Sequence, residues 1–199
     1  VEPLTVLHQW QGICYYKKKI TITPEEAKKH IWIEFEGAMH LADVWINGKH
    51  VMQHAGGYTP FVVDATGLLK TDKENELLVR LDNRNNSLIP PGKPLETLDF
   101  CYYGGIYRNV HLIAKADVHI THPILDGHPA GAGIFITYPK VSQELSVVDA
   151  KTEIKNTSDK EKVVELRHTL YTWERQKGKD KKVPVSYTHL RAHETDSYL

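Results

Sequence analysis

The sequence predicts an all-β protein, a jelly-roll β-sandwich followed by a truncated immunoglobulin-like β-sandwich. Three observations carry this. Period-two alternation rich in β-branched and aromatic residues recurs at short intervals. No comparable helical stripe occurs, and Gly, Pro and Asn punctuate the runs, as expected of many short strands joined by turns.

The elements follow in order. Strands are expected over Tyr15 to Thr23, Ile31 to Glu36, Ala42 to Ile46, Lys49 to His54, Phe61 to Val63, Glu76 to Asp82 and Asn109 to Ala114. Asn47-Gly48, between two apolar runs, predicts a two-residue hairpin, because a type I′ turn needs φ > 0 at both positions. Pro24 to Lys29 predicts one helical turn, with Thr23 as N-cap and Pro24 at the first position. Asp64 to Leu69 is expected to do the same. Asn83 to Tyr107 shows no sustained alternation and is longer than ordinary loops, yet it carries Phe100, Tyr102, Tyr103 and Tyr107; it reads as an ordered, functional loop.

The texture changes near residues 115 to 124. The expected domains are 1–115, the jelly roll; 116–124, a linker; and 125–185, a partial immunoglobulin-like sandwich with strands in Gly133 to Tyr138, Ser146 to Lys155 and Lys162 to Trp173. Residues 186–199 lack strand alternation and are expected to be a non-native tail outside functional reasoning.

Composition narrows the function classes. Among 199 residues, 25 Lys plus Arg balance 25 Asp plus Glu, which leaves no basic field for counterion-driven nucleic-acid binding. No run of about 18 apolar residues exists to span a membrane. Cys14 and Cys101 read as two reduced thiols, although pairing stays open on sequence alone. The chain opens on Val1 without a signal-peptide pattern, and localisation stays open, with bacterial cytoplasm or periplasm expected.

Several ordered motifs then resemble the N-terminal sugar-binding domain of glycoside hydrolase family 2, the β-galactosidase and β-glucuronidase family. They are Tyr16-Lys17-Lys18, Phe35-Glu36-Gly37, Ala42 to Gly48, Gly56 to Phe61 with Asp64-Ala65-Thr66, Asn75 to Asn83 and Gly104 to Val110, together covering residues 12 to 114. The resemblance implies a galactose-binding-like fold and a parent enzyme that is a retaining β-glycosidase, read as a β-galactosidase acting on terminal β-galactosides. A β-glucuronidase fragment and a stand-alone carbohydrate-binding module are the alternatives. Gly37, Gly48, Gly57 and Gly105 are expected at positive φ or at close backbone approaches, and Phe35 and Trp45 in the core.

The resemblance implies that Asp99, six residues before Gly105 of the Gly-Ile-aromatic-Arg motif, reaches the sugar and a sodium ion of the full-length enzyme. A carboxylate suits both tasks, since it accepts charge-assisted hydroxyl bonds and shares oxygen with a hard cation. Phe100 and Asn85 are the further expected sugar contacts; Asn86 is a lesser candidate, since turn chemistry explains it equally. Arg108 is expected to anchor the loop on Asp82 or Asp43, and Arg80 and Asn83 to sit at the loop base.

Catalysis with retention needs two carboxylates about 5–5.5 Å apart. The resemblance places both on a (β/α)8 barrel, and about 250 residues for a barrel exceed this chain. None of Glu34, Glu36, Glu74, Glu76 or Glu96 matches a catalytic motif, so the chain alone is expected to be inactive. Histidines four apart in a strand, such as His50 and His54, lie about 13 Å apart and make a poor metal pair. The implied partner is a carbohydrate, with no nucleic acid and no membrane; a homo-oligomeric parent is left open.

Overall fold

The computed structural model describes residues 10–98, 100, 102–128, 132–176 and 179–193, with the side chains of residue 95 and of 172–193 left aside. It divides into two compact units, Val1–Ala116 and Asp117–Leu199.

The first unit is a β-sandwich. One sheet has the order β1 (Ile13–Ile20), β7 (Asn75–Asp82), β4 (Leu41–Ile46), β5 (Lys49–Ala55); the facing sheet has β6 (Phe61–Asp64), β2 (His30–Phe35), β9 (Val110–Lys115). All pairings within them are antiparallel. Alternation along the strands sorts the faces: Ala42, Val44 and Ile46 of β4 and Leu77, Val79 and Leu81 of β7 meet Ile31, Ile33 and Phe35 of β2 and Phe61 and Val63 of β6 in one apolar core. Phe35 lies 4.6 Å from Phe61, stacked at 7°, and His54 stacks on the other face of that arrangement at 4.5 Å from Phe61. Trp45, on the opposite face of β4 from Val44 and Ile46, is half-buried and meets the His50 ring edge-on at 5.0 Å, so the expectation that it joins Phe35 in the core is corrected by the strand's own period of two.

The hairpin between β4 and β5 forms at Asn47-Gly48, with φ of 51° and 80°. The Asn47 amide donates to the Leu68 carbonyl and to Asn75 Oδ1, and its oxygen accepts from the Glu76 N–H, which bolts the turn to β7. A single helical turn, α1 (Pro24–Ala27), has the full capping box: Thr23 Oγ1 accepts from the Glu26 N–H and Glu26 Oε2 accepts from the Thr23 N–H. Asp64 to Leu69 forms a turn instead of helix, because Gly67 adopts φ +72° and breaks the right-handed run.

Between β7 and β9 the chain keeps to loops, with a 3-10 turn at Leu95–Thr97 and a two-residue strand, β8 (Gly105–Ile106), that pairs with β3 (Ala38–Met39).

The second unit is also all β. It holds three two-stranded antiparallel ladders: β10 (Val118–Ile120) with β13 (Ile154–Asn156), β11 (Ile134–Val141) with β12 (Ser146–Thr152), and β14 (Val163–Gln176) with β15 (Lys179–His193). β15 corrects the expectation of no strand beyond residue 185: Ser186 to His193 pair with Leu170 to Val163. Ladder pairing uses backbone groups that every non-proline residue carries, so it does not require the alternation missing from this stretch. The register shifts by one between Leu170 and Tyr171, where Pro184 stands opposite and lacks a ladder N–H.

Phe35→Ala removes the ring that stacks on Phe61 at the centre of the core. It is expected to lower the unfolding free energy of the first unit by about 3–5 kcal/mol, read from urea denaturation followed by tryptophan fluorescence.

Candidate functional site

At one end of the first sandwich four segments converge: residues 38–41, 56–58, 82–86 and 102–107. Their backbones interlock. The His40 N–H donates to the Asp82 carbonyl, the Gly56 N–H donates to the His40 carbonyl, and the Tyr107 hydroxyl donates to the Gly57 carbonyl at 2.6 Å. Two glycines permit this closeness. A Cβ on Gly57 would collide with Met39 Sδ, and Gly105 sits at φ +91° with the Tyr16 hydroxyl against the place its Cβ would occupy.

Beneath lies a charge network across adjacent strands. Asp43 and Arg80 are register partners on β4 and β7. Arg80 donates to Asp43 Oδ2 at 3.0 Å and to Asp82 Oδ2 at 3.4 Å, and Arg84 forks onto Asp82 at 2.6 and 2.9 Å. Gln53 and His50 complete the shell of Asp43. The Arg84 side chain, helped by the Arg84 N–H and opposed by burial, holds the Asp82 carboxyl below the usual range. Burial pushes Asp43 up, but the bonds from Gln53, His50 and Arg80 outweigh it and leave it lowered.

Two clefts open here. A polar one of about 270 Å³ is lined by His40, Leu41, Asp82, Arg84, Asn85 and Asn86. An aromatic one of about 420 Å³ is lined by Trp10, Tyr16, Tyr102 and Tyr103, with Cys14 and the Gly104-Gly105 backbone. His40 and Tyr102 connect the two. His40 is 2 % exposed, its Nδ1 is hydrogen-bonded to the Tyr102 hydroxyl, and the rings meet edge-on with centroids 5.6 Å apart. Tyr58 lies edge-on to Tyr102 and, on its other side, to Phe100, each at 6.4 Å.

The expected site residues fall as follows. Asn85 lines the polar cleft and its Oδ1 accepts from Gln11 Nε2 at 3.2 Å. Phe100 is exposed against Tyr58. Asp99 lies outside the described residues, as does Cys101, while Cys14 is a half-buried free thiol. Asn86 serves its own turn, accepting from the Leu88 N–H. Arg80 and Asn83 are loop-base residues: Asn83 accepts from the Gly12 N–H and donates to the Trp10 carbonyl. Arg108 corrects the expectation of an Asp43 or Asp82 partner, since Arg80 and Arg84 hold those carboxylates and the Arg108 guanidinium lies over the Tyr107 ring at 5.8 Å. His40, Tyr58 and Tyr102 were not singled out by sequence reasoning as site residues. The available signal was a histidine inside the short apolar run Ala38-Met39-His40-Leu41.

Hydroxyls, amides and aromatic faces at one end of a sandwich suit a polyhydroxylated ring, whose apolar face stacks on aromatics and whose hydroxyls pair with polar groups. Among the described residues no group of three or more His, Cys, Asp and Glu is placed to hold a metal ion, so no step is routed through one. No described helix is long and apolar enough to cross a membrane.

Comparison with known proteins agrees with this picture. The family described as glycosyl hydrolases family 2, sugar binding domain, matches residues 4–116. A β-glucuronidase of Bacteroides fragilis is 35% identical over 150 residues, covering 73% of this chain and 20% of that protein. A β-galactosidase of Thermoanaerobacter pseudethanolicus is 36% identical over 151 residues, covering 74% and 20%. Among solved structures, a Bacteroides uniformis β-glucuronidase superimposes with a TM-score of 0.68 at 32% identity, over 93% of this chain and 21% of its own. A calcium-binding mutant of β-glucuronidase 2 from the same organism gives 0.66 at 31%, over 96% and 21%. The chain thus spans about a fifth of the length of these relatives.

The charge network generates a prediction about acid. Asp43 and Asp82 have folded-state pKa values below their ordinary value of 3.8, so their contribution is complete above that value and is lost as pH falls through the lower folded values. The urea midpoint is expected to decline as pH falls through about 6.5, because burial keeps His40 and His54 neutral in the fold while the unfolded chain takes up protons, and to fall again below about 4 as the two carboxylates are protonated. Asp82→Asn should be less stable at pH 7 and show a shallower acid fall.

Proposed function

The chain belongs to glycoside hydrolase family 2 and carries that family's sugar-binding domain, and from this premise we propose that it is the sugar-facing part of a retaining β-glycosidase acting on terminal β-galactosides. One observation carries the reading: the Gly105-Ile106-Tyr107-Arg108 motif, with Asp99 six residues ahead of Gly105, continues a segment whose residues Tyr102 to Gly105 line the aromatic cleft. Asp99 accepts sugar hydroxyl bonds, Phe100 lines the same subsite, and Asn85 contributes an amide from the polar cleft. The catalytic carboxylates belong to a barrel beyond this chain, in keeping with the fifth of the relatives' length that it spans.

A sodium ion shared by Asp99 and substrate is part of the same proposal, supported by the resemblance. The domain division into a jelly roll, a short linker from 116, a partial immunoglobulin-like sandwich and a non-native tail from 186 is likewise proposed.

A second reading, a β-glucuronidase, is favoured by the names of several relatives: β-glucuronidases of Bacteroides fragilis and Formosa agariphila at 35% and 32% identity match as closely as the β-galactosidase at 36%. The two sugars differ in the configuration of the hydroxyl at C4 and in the C6 group, a hydroxymethyl in galactose and a carboxylate in glucuronate, so binding discriminates them.

Isothermal titration of the purified chain with galactose, glucuronate and mannose tests the proposal. Saturable galactose binding with Kd of about 1 mM or weaker, lost in Asp99→Ala, is expected. Preference for glucuronate selects the second reading, and absence of saturable binding to any of the three overturns both. Hydrolysis of a nitrophenyl β-galactoside by the chain alone is expected to be undetectable; turnover that survives Asp99→Ala overturns the assignment of catalysis to an absent barrel.

A further inference from the structure

We propose that His40 is a positioning residue: by accepting the Tyr102 hydroxyl hydrogen bond, its imidazole fixes Tyr102 and, through the Tyr58 ring that both meet, the neighbouring Phe100. The inference rests on the sugar-binding reading for the purpose of these rings, but the positioning itself stands on geometry alone.

The anchor is rigid. His40 follows β3 directly and precedes β4, its backbone N–H is bonded to the Asp82 carbonyl and its carbonyl to the Gly56 N–H, and its side chain is 2 % exposed. The segment it holds is not built into a sheet. Among the described residues from Arg84 to Gly104 there is no strand, and the backbone bonds described within that stretch are local, from Ile89 to Asn86, Gly92 to Ile89 and Thr97 to Pro94. Tyr102 enters the fold: it is 6 % exposed and clusters with Met39, and Leu98 packs against this pair. Its hydroxyl lands on His40 Nδ1.

The chemistry of the pair suits a permanent latch. Burial, partly opposed by the Asp82 charge, pushes the His40 pKa down and keeps the ring neutral. Burial, with a smaller contribution from Tyr58, pushes the Tyr102 phenol up to about 12, so it keeps its proton. A protonated phenol is the better donor and a neutral imidazole nitrogen the better acceptor, which places the imidazole hydrogen on Nε2. A buried phenol without its acceptor carries a desolvation cost, so the closed position is favoured by the cost of the alternative as well as by the bond.

The latch has a consequence for both walls. His40 lines the polar cleft beside Asn85, while Tyr102 lines the aromatic cleft and touches the Tyr58 ring that meets Phe100. One side chain therefore sets the distance between the amide wall and the aromatic wall.

Hydrogen exchange of the full chain, read by mass spectrometry without sugar, tests this. Tyr102→Phe and His40→Leu are each expected to speed exchange across 98–104 by about tenfold, with amides of β2 and β7 unchanged. His40→Asn, whose side-chain oxygen reaches the place of Nδ1, is expected to restore slow exchange, a rescue that mere filling of space would not produce. The double variant His40→Leu with Tyr102→Phe should be no faster than either single one. Unchanged exchange at 98–104 in Tyr102→Phe, or no rescue by His40→Asn, overturns the proposal; where His40→Leu unfolds, Tyr102→Phe decides. Faster exchange in Tyr102→Phe without any sugar binding in the titration leaves the latch standing and removes the sugar reading, so the two fail separately.

Discussion

Strand β7 is gripped at both ends by asparagine side chains, and the sandwich depends on that grip. Asn75, 1 % exposed at its start, donates to the carbonyls of Ile20, Lys70 and Lys73 and accepts from the Lys70 N–H and the Asn47 amide. Asn83, just past its end, ties the Trp10 carbonyl and the Gly12 N–H. These residues flank the two ends of β1, so a pair of carboxamides sets the register of the sheet's edge strand and of the 4–5 hairpin together. An amide is suited to this, because it supplies donors and an acceptor without the cost of a buried charge. With β7 fixed, Arg80 and Asp82 are aimed, and with Asp82 fixed, so is the backbone of His40.

The candidate site therefore inherits its order from the sheet below it. The carboxylates there are paired with arginines, which leaves them structural, and the remaining side chains of the two clefts are mostly neutral: amides, phenols and an imidazole. That is a different electrostatic character from a catalytic pair, in which one carboxyl must hold a proton near neutral pH and its neighbour must not. A neutral lining of this kind suits shape and hydroxyl recognition, in line with the proposed sugar-facing role.

Features governed by local backbone preference were legible in the sequence. Asn47-Gly48, the Thr23 N-cap and the alternation of β2, β4 and β7 depend on residues within a few positions of each other, and they form as read. The misreadings share a different origin. Arg108 looked like the partner of Asp43 or Asp82, but Arg80 and Arg84 reach those carboxylates from the same or the adjacent strand and leave no site for a third guanidinium. Trp45 looked like core because tryptophan is large and apolar; the parity of β4 decides its face instead. His40 escaped notice because its partner, Tyr102, is far away along the chain and joined only by the fold. The stretch after Ser186 lacked a side-chain pattern, and a ladder formed by the backbone needs none. Asp99, the residue on which the sugar reading leans most, rests on motif spacing.

The pairing of β1 with β7, and of β2 with β9, has a temporal side. Ile13 meets Asp82 and His30 meets Lys115, so β1 finds its partner, and β2 its second partner after β6, only far along the chain. Closing such long loops costs entropy before any contact repays it. As the chain leaves the ribosome, the 4–5 hairpin can assemble on its own, while Tyr15, Tyr16 and the apolar face of β2 must wait in the open for the rest. The order of synthesis thus leaves the outer strand of one sheet unpaired until β7, and one edge of the central strand of the other open until β9, and the high local charge around them, Lys17 to Lys19 and Glu25 to Lys29, stands where self-association would otherwise begin.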